Sequence, residues 1–123
     1  MPQALDGSTI CAISTAPGAG GIAVVRVSGP DALTVSSSIF SKKLGKEHDR
    51  GVVFGRIIDG ESIIDEGLAL VLCGPGSYTG EDTVEFNIHG SAFIQGEVIR
   101  LLILAGCRLA GPGEFTQRAF LNG

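Results

Sequence analysis

The chain has 123 residues, of which 44% are hydrophobic and 18% are charged, and its formal net charge is −4. This length and composition are typical of one globular domain with a sizeable core, and they exclude a disordered chain. The acidic balance excludes a domain that holds nucleic acid mainly by neutralising phosphates, because that mode needs clustered lysines and arginines. The one basic cluster, at residues 42–50, is interrupted by Glu47 and Asp49 and indicates a solvated loop.

The cysteines and the hydrophobic runs indicate a reducing compartment. Cys11, Cys73 and Cys107 lie far apart in the sequence, Cys11 and Cys73 lie in apolar runs, and no CxxC pair occurs. We therefore expect small core residues rather than disulfides or metal ligands. The longest apolar stretch, residues 98–109, contains two arginines and is too short to span a bilayer. The N-terminus lacks the order of a signal peptide, so we expect a cytoplasmic protein without a membrane partner.

Short β-branched runs separated by glycines predict a sheet with tight turns in the first half of the chain. Residues 9–14 and Ile22–Ser28 are predicted strands, joined by a glycine-rich loop at residues 15–21. A helix is expected over residues 30–40, since a proline at its start suits the first turn. Residues 51–59 and 63–73 then predict a strand pair around an Asp-Gly turn.

The second half of the chain predicts one more strand at Thr83–His89, after the glycine-rich loop 74–82. Ser91 is suited to cap a second helix that runs to about Ala105, and Gly106 is placed to end it. Residues 107–110 predict a short final strand. This order of elements predicts an α+β fold with two main helices packed against a mixed or antiparallel sheet.

A further helix is expected to open at Pro112 or Gly113, with Glu114 in its first turn. The sequence stops at Gly123, partway through this helical pattern. We therefore expect the chain to be one module of a longer protein.

The second predicted helix is apolar over most of its circumference. Gly96, Glu97 and Arg100 form its main polar stripe, and hydrophobic residues surround the rest. Such a helix needs burial on more than one side. Burial within the domain and a self-association surface both account for the pattern.

The motifs that would indicate a nucleotide site or a catalytic centre are absent from the sequence. The pattern GxxxxGK[ST] does not occur, and the glycines at residues 18–21 lead into a strand rather than a helix. His48 and His89 have no cysteine or serine nearby in a pattern that predicts a catalytic triad. The sequence therefore predicts a binding domain that carries no catalytic groups.

Two charged residues occupy the polar sides of predicted strands. Strict alternation places Arg26 on one face with Val24 and Ser28, and Glu85 on one face with Thr83 and Asn87. If the two strands share that face, the guanidinium and the carboxylate converge beside the glycine-rich loops. A carboxylate there suits a flat ligand with paired N–H donors. The alternative interpretation is a surface ion pair worth at most about 1 kcal/mol.

Three separated motifs carry a family resemblance. They are APGAGGIAVVRVSG at residues 16–29, PGSYTGEDTVEF with a following His-Gly at residues 75–90, and GPGEFTQRAFLNG at residues 111–123. In this order they resemble the N-terminal domain of the MnmE (TrmE) family of tRNA modification GTPases. The resemblance covers nearly the whole chain; only residues 36–60 lack a signature.

The resemblance implies a folate-binding module, similar in fold to those of aminomethyltransferases. On this basis residues 1–118 are expected to be a folate-binding and dimerisation domain, and residues 119–123 the start of a helical domain. Residues matching Arg26 and Glu85 contact 5-formyltetrahydrofolate or another tetrahydrofolate in that family. A lysine that would follow Gly123 also contributes. No metal ligand is implied in this domain, and the apolar second helix becomes the expected homodimer contact.

The resemblance also implies the parent activity. The family acts with MnmG on the wobble uridine of tRNA, adding an aminomethyl or carboxymethylaminomethyl group. GTP, magnesium and potassium are expected only in the GTPase domain, which this sequence lacks, and tRNA only at the level of the parent complex. Two alternatives remain open: a free-standing folate-dependent aminomethyltransferase-like module, and a purely structural dimerisation domain.

Overall fold

The computed structural model describes residues 6–15 and 21–123, so most of the first glycine-rich loop lies outside the described residues. A short 3-10 turn occupies Lys46–His48 in the basic segment. The strands and helices, in chain order, are β1 (Ile10–Ile13), β2 (Ile22–Ser28), α1 (Ala32–Ser38), β3 (Val52–Asp59), β4 (Ser62–Leu72), β5 (Thr83–His89), α2 (Ala92–Leu104), β6 (Arg108–Leu109) and α3 (Glu114–Leu121).

The strands form one mixed six-stranded sheet in the order β3-β4-β5-β2-β1-β6. Neighbouring strands are antiparallel except β1 and β6, which are parallel. The predicted α+β class with a mixed sheet is confirmed. The hairpin between β3 and β4 turns at Gly60, where a positive φ of 60° suits glycine.

The first helix is shorter than the predicted 30–40, and both of its ends have a tertiary cause. Gly29 has a φ of 146°, and the backbone N–H of Asp31 donates to the Thr9 hydroxyl at 2.9 Å. Residues 29–31 therefore form a turn anchored beside β1. At the other end, Phe40 makes an isolated β-bridge with Ile57, which ends the helical path.

One face of the sheet carries the hydrophobic core. Helices α1 and α2 pack there, and the alternate residues of β2 and β5 that point towards them are fully buried. The core includes Val25, Val27, Val84, Phe86, Ala32, Val35, Val98, Leu101 and Leu102. The face pattern predicted from strand alternation is therefore confirmed, and it leaves Arg26 and Glu85 on the opposite face, called here the open face.

The second helix buries one stripe and exposes another. Val98, Leu101 and Leu102 enter the core, whereas Phe93 and Leu104 are 71% and 73% exposed. Burial within the domain thus accounts for only part of its apolar surface. None of the helices in the described part of the chain is both long enough and apolar enough to cross a membrane.

Candidate ligand-binding cleft

Arg26 and Glu85 are direct cross-strand partners of β2 and β5. The Arg26 Nε donates to Glu85 Oε2 at 2.7 Å, and both side chains are about four-fifths buried. The convergence of these residues on one face, predicted from alternation, is confirmed. The role of either residue in binding a ligand stays a prediction.

Two aromatic rings flank the Arg26 guanidinium. Its central carbon lies 5.5 Å from the centre of the Tyr78 ring and 5.2 Å from the centre of the Phe115 ring. Both distances are within the range of cation–π attraction. The guanidinium is therefore held by one carboxylate and two rings that come from three separate segments of the chain.

A cleft of about 640 Å³ opens over this arrangement. That volume is within the range of sites that bind small organic molecules. Arg26 lines the cleft, together with the end of β1, Tyr78 and residues 110–116. Glu85 does not line it and reaches it only through the ion pair with Arg26.

The two aromatic walls of the cleft are joined to each other. The Tyr78 hydroxyl and the Thr116 hydroxyl are 3.0 Å apart, which links the loop before β5 to α3. Below them, buried hydroxyls fix the base of that loop: Ser28 to Thr79 at 2.7 Å, and Thr79 to Thr83 at 3.3 Å. The loop is thus anchored on both β2 and β5.

A buried ionic network behind the cleft was missed by the sequence reasoning. Arg108 makes a bidentate pair with Glu114, at 2.9 and 2.6 Å, and Glu114 is only 4% exposed. Arg118, one helical turn after Glu114, is fully buried and pairs with Glu81 and Glu114. The spacing of Glu114 and Arg118 was the available signal, since residues four apart on a helix are neighbours.

Hydrogen bonds hold the Glu114 carboxylate in its ionised form. The Arg108 guanidinium makes the largest contribution and lowers the pKa of Glu114 below its ordinary value of 4.5. The backbone N–H of Gly111 acts in the same direction, and burial opposes both. Glu114 is therefore a charged anchor of the cleft wall.

The other candidate residues named from the sequence lie away from the cleft or outside the described residues. His89 pairs with Asp65 at 2.7 Å on an exposed strand end, and His48 Nδ1 accepts from the Gly45 N–H at 3.2 Å. The glycines of residues 16–20 lie outside the described residues. Within residues 6–15 and 21–123, no group of three or more His, Cys, Asp or Glu is arranged to hold a metal ion.

Comparison with known proteins places this chain in a family. Residues 9–123 match the family described as "GTP-binding protein TrmE N-terminus". The tRNA modification GTPase MnmE of Parabacteroides distasonis is 53% identical over 122 residues, which cover 94% of this chain and 26% of that protein. The proteins of the same name from Bacteroides thetaiotaomicron and Clostridioides difficile are 50% and 48% identical, covering 97% and 94% of this chain and 26% of each protein.

The molecule is an α+β domain with a ligand-sized cleft on one face of its sheet. The chain belongs to the TrmE N-terminal domain family. It spans about a quarter of the length of the curated relatives it matches.

Proposed function

We propose that this chain is the tetrahydrofolate-binding and homodimerisation domain of a GTPase that modifies the wobble uridine of tRNA. The family membership and the relatives' shared name, tRNA modification GTPase MnmE, support the parent activity. On this proposal the parent protein works in the cytoplasm with MnmG and tRNA. GTP, magnesium and potassium belong to the parent's GTPase domain.

The observation that carries the folate proposal is the position of Arg26 in the cleft. Its flat guanidinium donates the Nε N–H to Glu85 and lies against the rings of Tyr78 and Phe115. A pterin is also flat and also carries adjacent N–H donors, so the same carboxylate and rings suit it. The cleft volume of about 640 Å³ is adequate for such a ligand.

On this proposal the two predicted residues have different tasks. Arg26 faces the cleft directly and serves as its polar anchor. Glu85 lies behind Arg26, so it orients a ligand directly only when the guanidinium moves aside. The ion pair with Glu85 holds Arg26 in place beside the two rings.

Calorimetric titration with 5-formyltetrahydrofolate tests this proposal on the 123-residue chain. Glu85→Gln and Arg26→Ala are each expected to weaken binding at least about 10-fold, because each removes a charge-assisted contact. The matched control is Glu66→Gln. Glu66 is the cross-strand partner of Arg56, as Glu85 is of Arg26, and the Arg56 Nε lies 3.4 Å from Glu66 Oε2. This pair is exposed and lies away from the cleft, so Glu66→Gln is expected to leave the affinity for 5-formyltetrahydrofolate unchanged.

The outcomes separate the proposal from its two alternatives. No binding by a folded wild-type chain, and none by a chain extended past Gly123, would favour a purely structural dimerisation domain. Aminomethyl transfer by this chain alone would favour a free-standing transferase-like module. Equal losses in Glu85→Gln and Glu66→Gln would show that the Arg26–Glu85 pair is not the site.

The dimerisation proposal rests on the exposed stripe of α2. Phe93, Ile103 and Leu104 are between 45% and 73% exposed, on a helix whose other side is already in the core. Large exposed apolar side chains on a small domain are typical of association surfaces. We therefore propose that a second copy of this chain packs against this stripe.

A further inference from the structure

Arg118 is the largest fully buried side chain in the described part of the chain, and the function proposed above does not use it. Its NH1 group donates to both carboxylate oxygens of Glu81, at 3.0 and 3.2 Å. Its NH2 group donates to Glu114 Oε2 at 3.3 Å. Glu81 belongs to the loop that carries Tyr78, and Glu114 to the helix that carries Phe115. One guanidinium therefore bridges both aromatic walls of the cleft.

The same guanidinium holds two further segments that build the cleft. NH1 donates to the backbone oxygen of Ser8 at 2.8 Å, and NH2 donates to the Ser8 hydroxyl at 3.2 Å. Ser8 lies just before β1, whose end lines the cleft. Glu81 in turn accepts from the Ser28 hydroxyl at 3.0 Å, at the end of the strand that carries Arg26. Arg118 is thus connected to the floor and to each wall.

We propose that Arg118 is a positioning residue for the ligand: by binding Glu81 and Glu114 at once, it fixes the separation of the Tyr78 and Phe115 rings. The ligand part of this inference rests on the proposed folate function, while the ring positions do not. Only a planar fork of donors serves two carboxylates and a carbonyl from one point, so lysine is a poor substitute there.

The chain contains one tyrosine and no tryptophan, so its intrinsic fluorescence reports on Tyr78 alone. Time-resolved anisotropy measures the fast local motion of that ring without any ligand. In Arg118→Lys, we expect the amplitude of this motion to rise at least about two-fold, and the dissociation constant for 5-formyltetrahydrofolate to rise about 10-fold. Circular dichroism checks that the variant is folded.

Arg56→Lys is the matched control, because Arg56 makes an ion pair with Glu66 that is exposed and remote from the cleft. It is expected to leave both the anisotropy and the affinity unchanged. A folded Arg118→Lys chain with wild-type Tyr78 motion would overturn the proposal.

If Arg118→Lys does not fold, Glu81→Gln tests the proposal instead, because it removes one carboxylate charge and leaves Arg118 paired with Glu114. The same increase in Tyr78 motion is expected there, and wild-type motion would overturn the proposal. If neither variant folds, Arg118 is a folding determinant only and the proposal is overturned. If the wild-type chain binds no folate but the variant still shows increased Tyr78 motion, the result would support the positioning role of Arg118 and contradict the proposed folate function.

Discussion

The Glu114 carboxylate is held by the Arg108 guanidinium through two parallel hydrogen bonds, of 2.6 and 2.9 Å, which join β6 to the first turn of α3. Bidentate pairs of this kind are among the stronger polar contacts in proteins. Because the carboxylate is buried, its ionisation is linked to folding.

Acid is expected to weaken the domain through this pair. The pKa of Glu114 is lower in the folded chain than its ordinary value of 4.5, chiefly because of Arg108. Its stabilising contribution is therefore fully present above about pH 4.5 and is lost as the pH falls through the folded-state pKa. In thermal denaturation followed by circular dichroism, Glu114→Gln should lower the melting temperature at neutral pH and flatten its decline in acid. A variant that keeps the wild-type decline would assign the acid sensitivity to another group.

Two glycines in regular elements are predicted to respond oppositely to alanine. A Cβ on Gly67 in β4 would lie 2.4 Å from the backbone oxygen of Asn87 on the neighbouring strand, whereas a Cβ on Gly96 in α2 meets nothing within 4 Å. Gly67→Ala should lower the free energy of unfolding by about 2 kcal/mol or more. Gly96→Ala should raise it by about 0.5–1 kcal/mol, because alanine is the better helix former. Urea denaturation measures both, and a shift of the same sign in the two variants would contradict the prediction.

The three thiols should react in two classes. Cys11 and Cys107 are buried, while Cys73 is partly exposed. A hydrogen bond with Cys11 and burial raise the pKa of Cys107, which suppresses its reactive thiolate. Burial and the nearby carboxylates of Asp49 and Asp82 also raise the pKa of Cys73, so its reaction should be slow. Mass spectrometry after alkylation at neutral pH should find one label on the native chain and three after denaturation; early labelling of Cys11 would refute this order.

The proposed homodimer is expected to depend on the exposed stripe of α2. Phe93→Ser combined with Leu104→Ser should shift the chain from dimer to monomer in sedimentation equilibrium, with little loss of stability, because both side chains are largely exposed. The matched control is Phe54→Ser with Leu68→Ser on the open face, where both residues are also exposed and are cross-strand partners. Dissociation by the control pair alone would move the interface from α2 to the sheet.

The local elements of this fold could be predicted from the sequence because their signals are local. Glycine and proline punctuation, β-branched runs and the Ser91 cap each act within a few residues, and the Ser91 hydroxyl does accept from the Ile94 N–H at 3.2 Å. The end of α1 could not be predicted, since it depends on the bridge between Phe40 and Ile57.

The candidate site was predictable only in part, for the same reason. Alternation places Arg26 and Glu85 on a polar face, but the register that makes them partners depends on a contact between residues 59 positions apart. The ring of Phe115 and the buried guanidinium of Arg118 come to the site from the far end of the chain. Arginines are mostly exposed in proteins, and the burial of Arg118 is favourable because it pairs with Glu81 and Glu114 and donates to Ser8.

Helix α3 differs from α2 in what attaches it. None of its described residues belongs to the hydrophobic core. It is held by polar contacts: the bidentate pair of Glu114 with Arg108, the ion pairs of Arg118, the Thr116–Tyr78 contact, and the amide of Asn122, which donates to the Thr79 carbonyl at 3.0 Å. A helix attached by polar contacts can detach without exposing the core. The backbone amides of α3 should therefore exchange with solvent deuterium through local opening, whereas those of α2 should exchange only on global unfolding. One wall of the cleft would then be a separate cooperative unit, which opens and closes on a domain that stays folded.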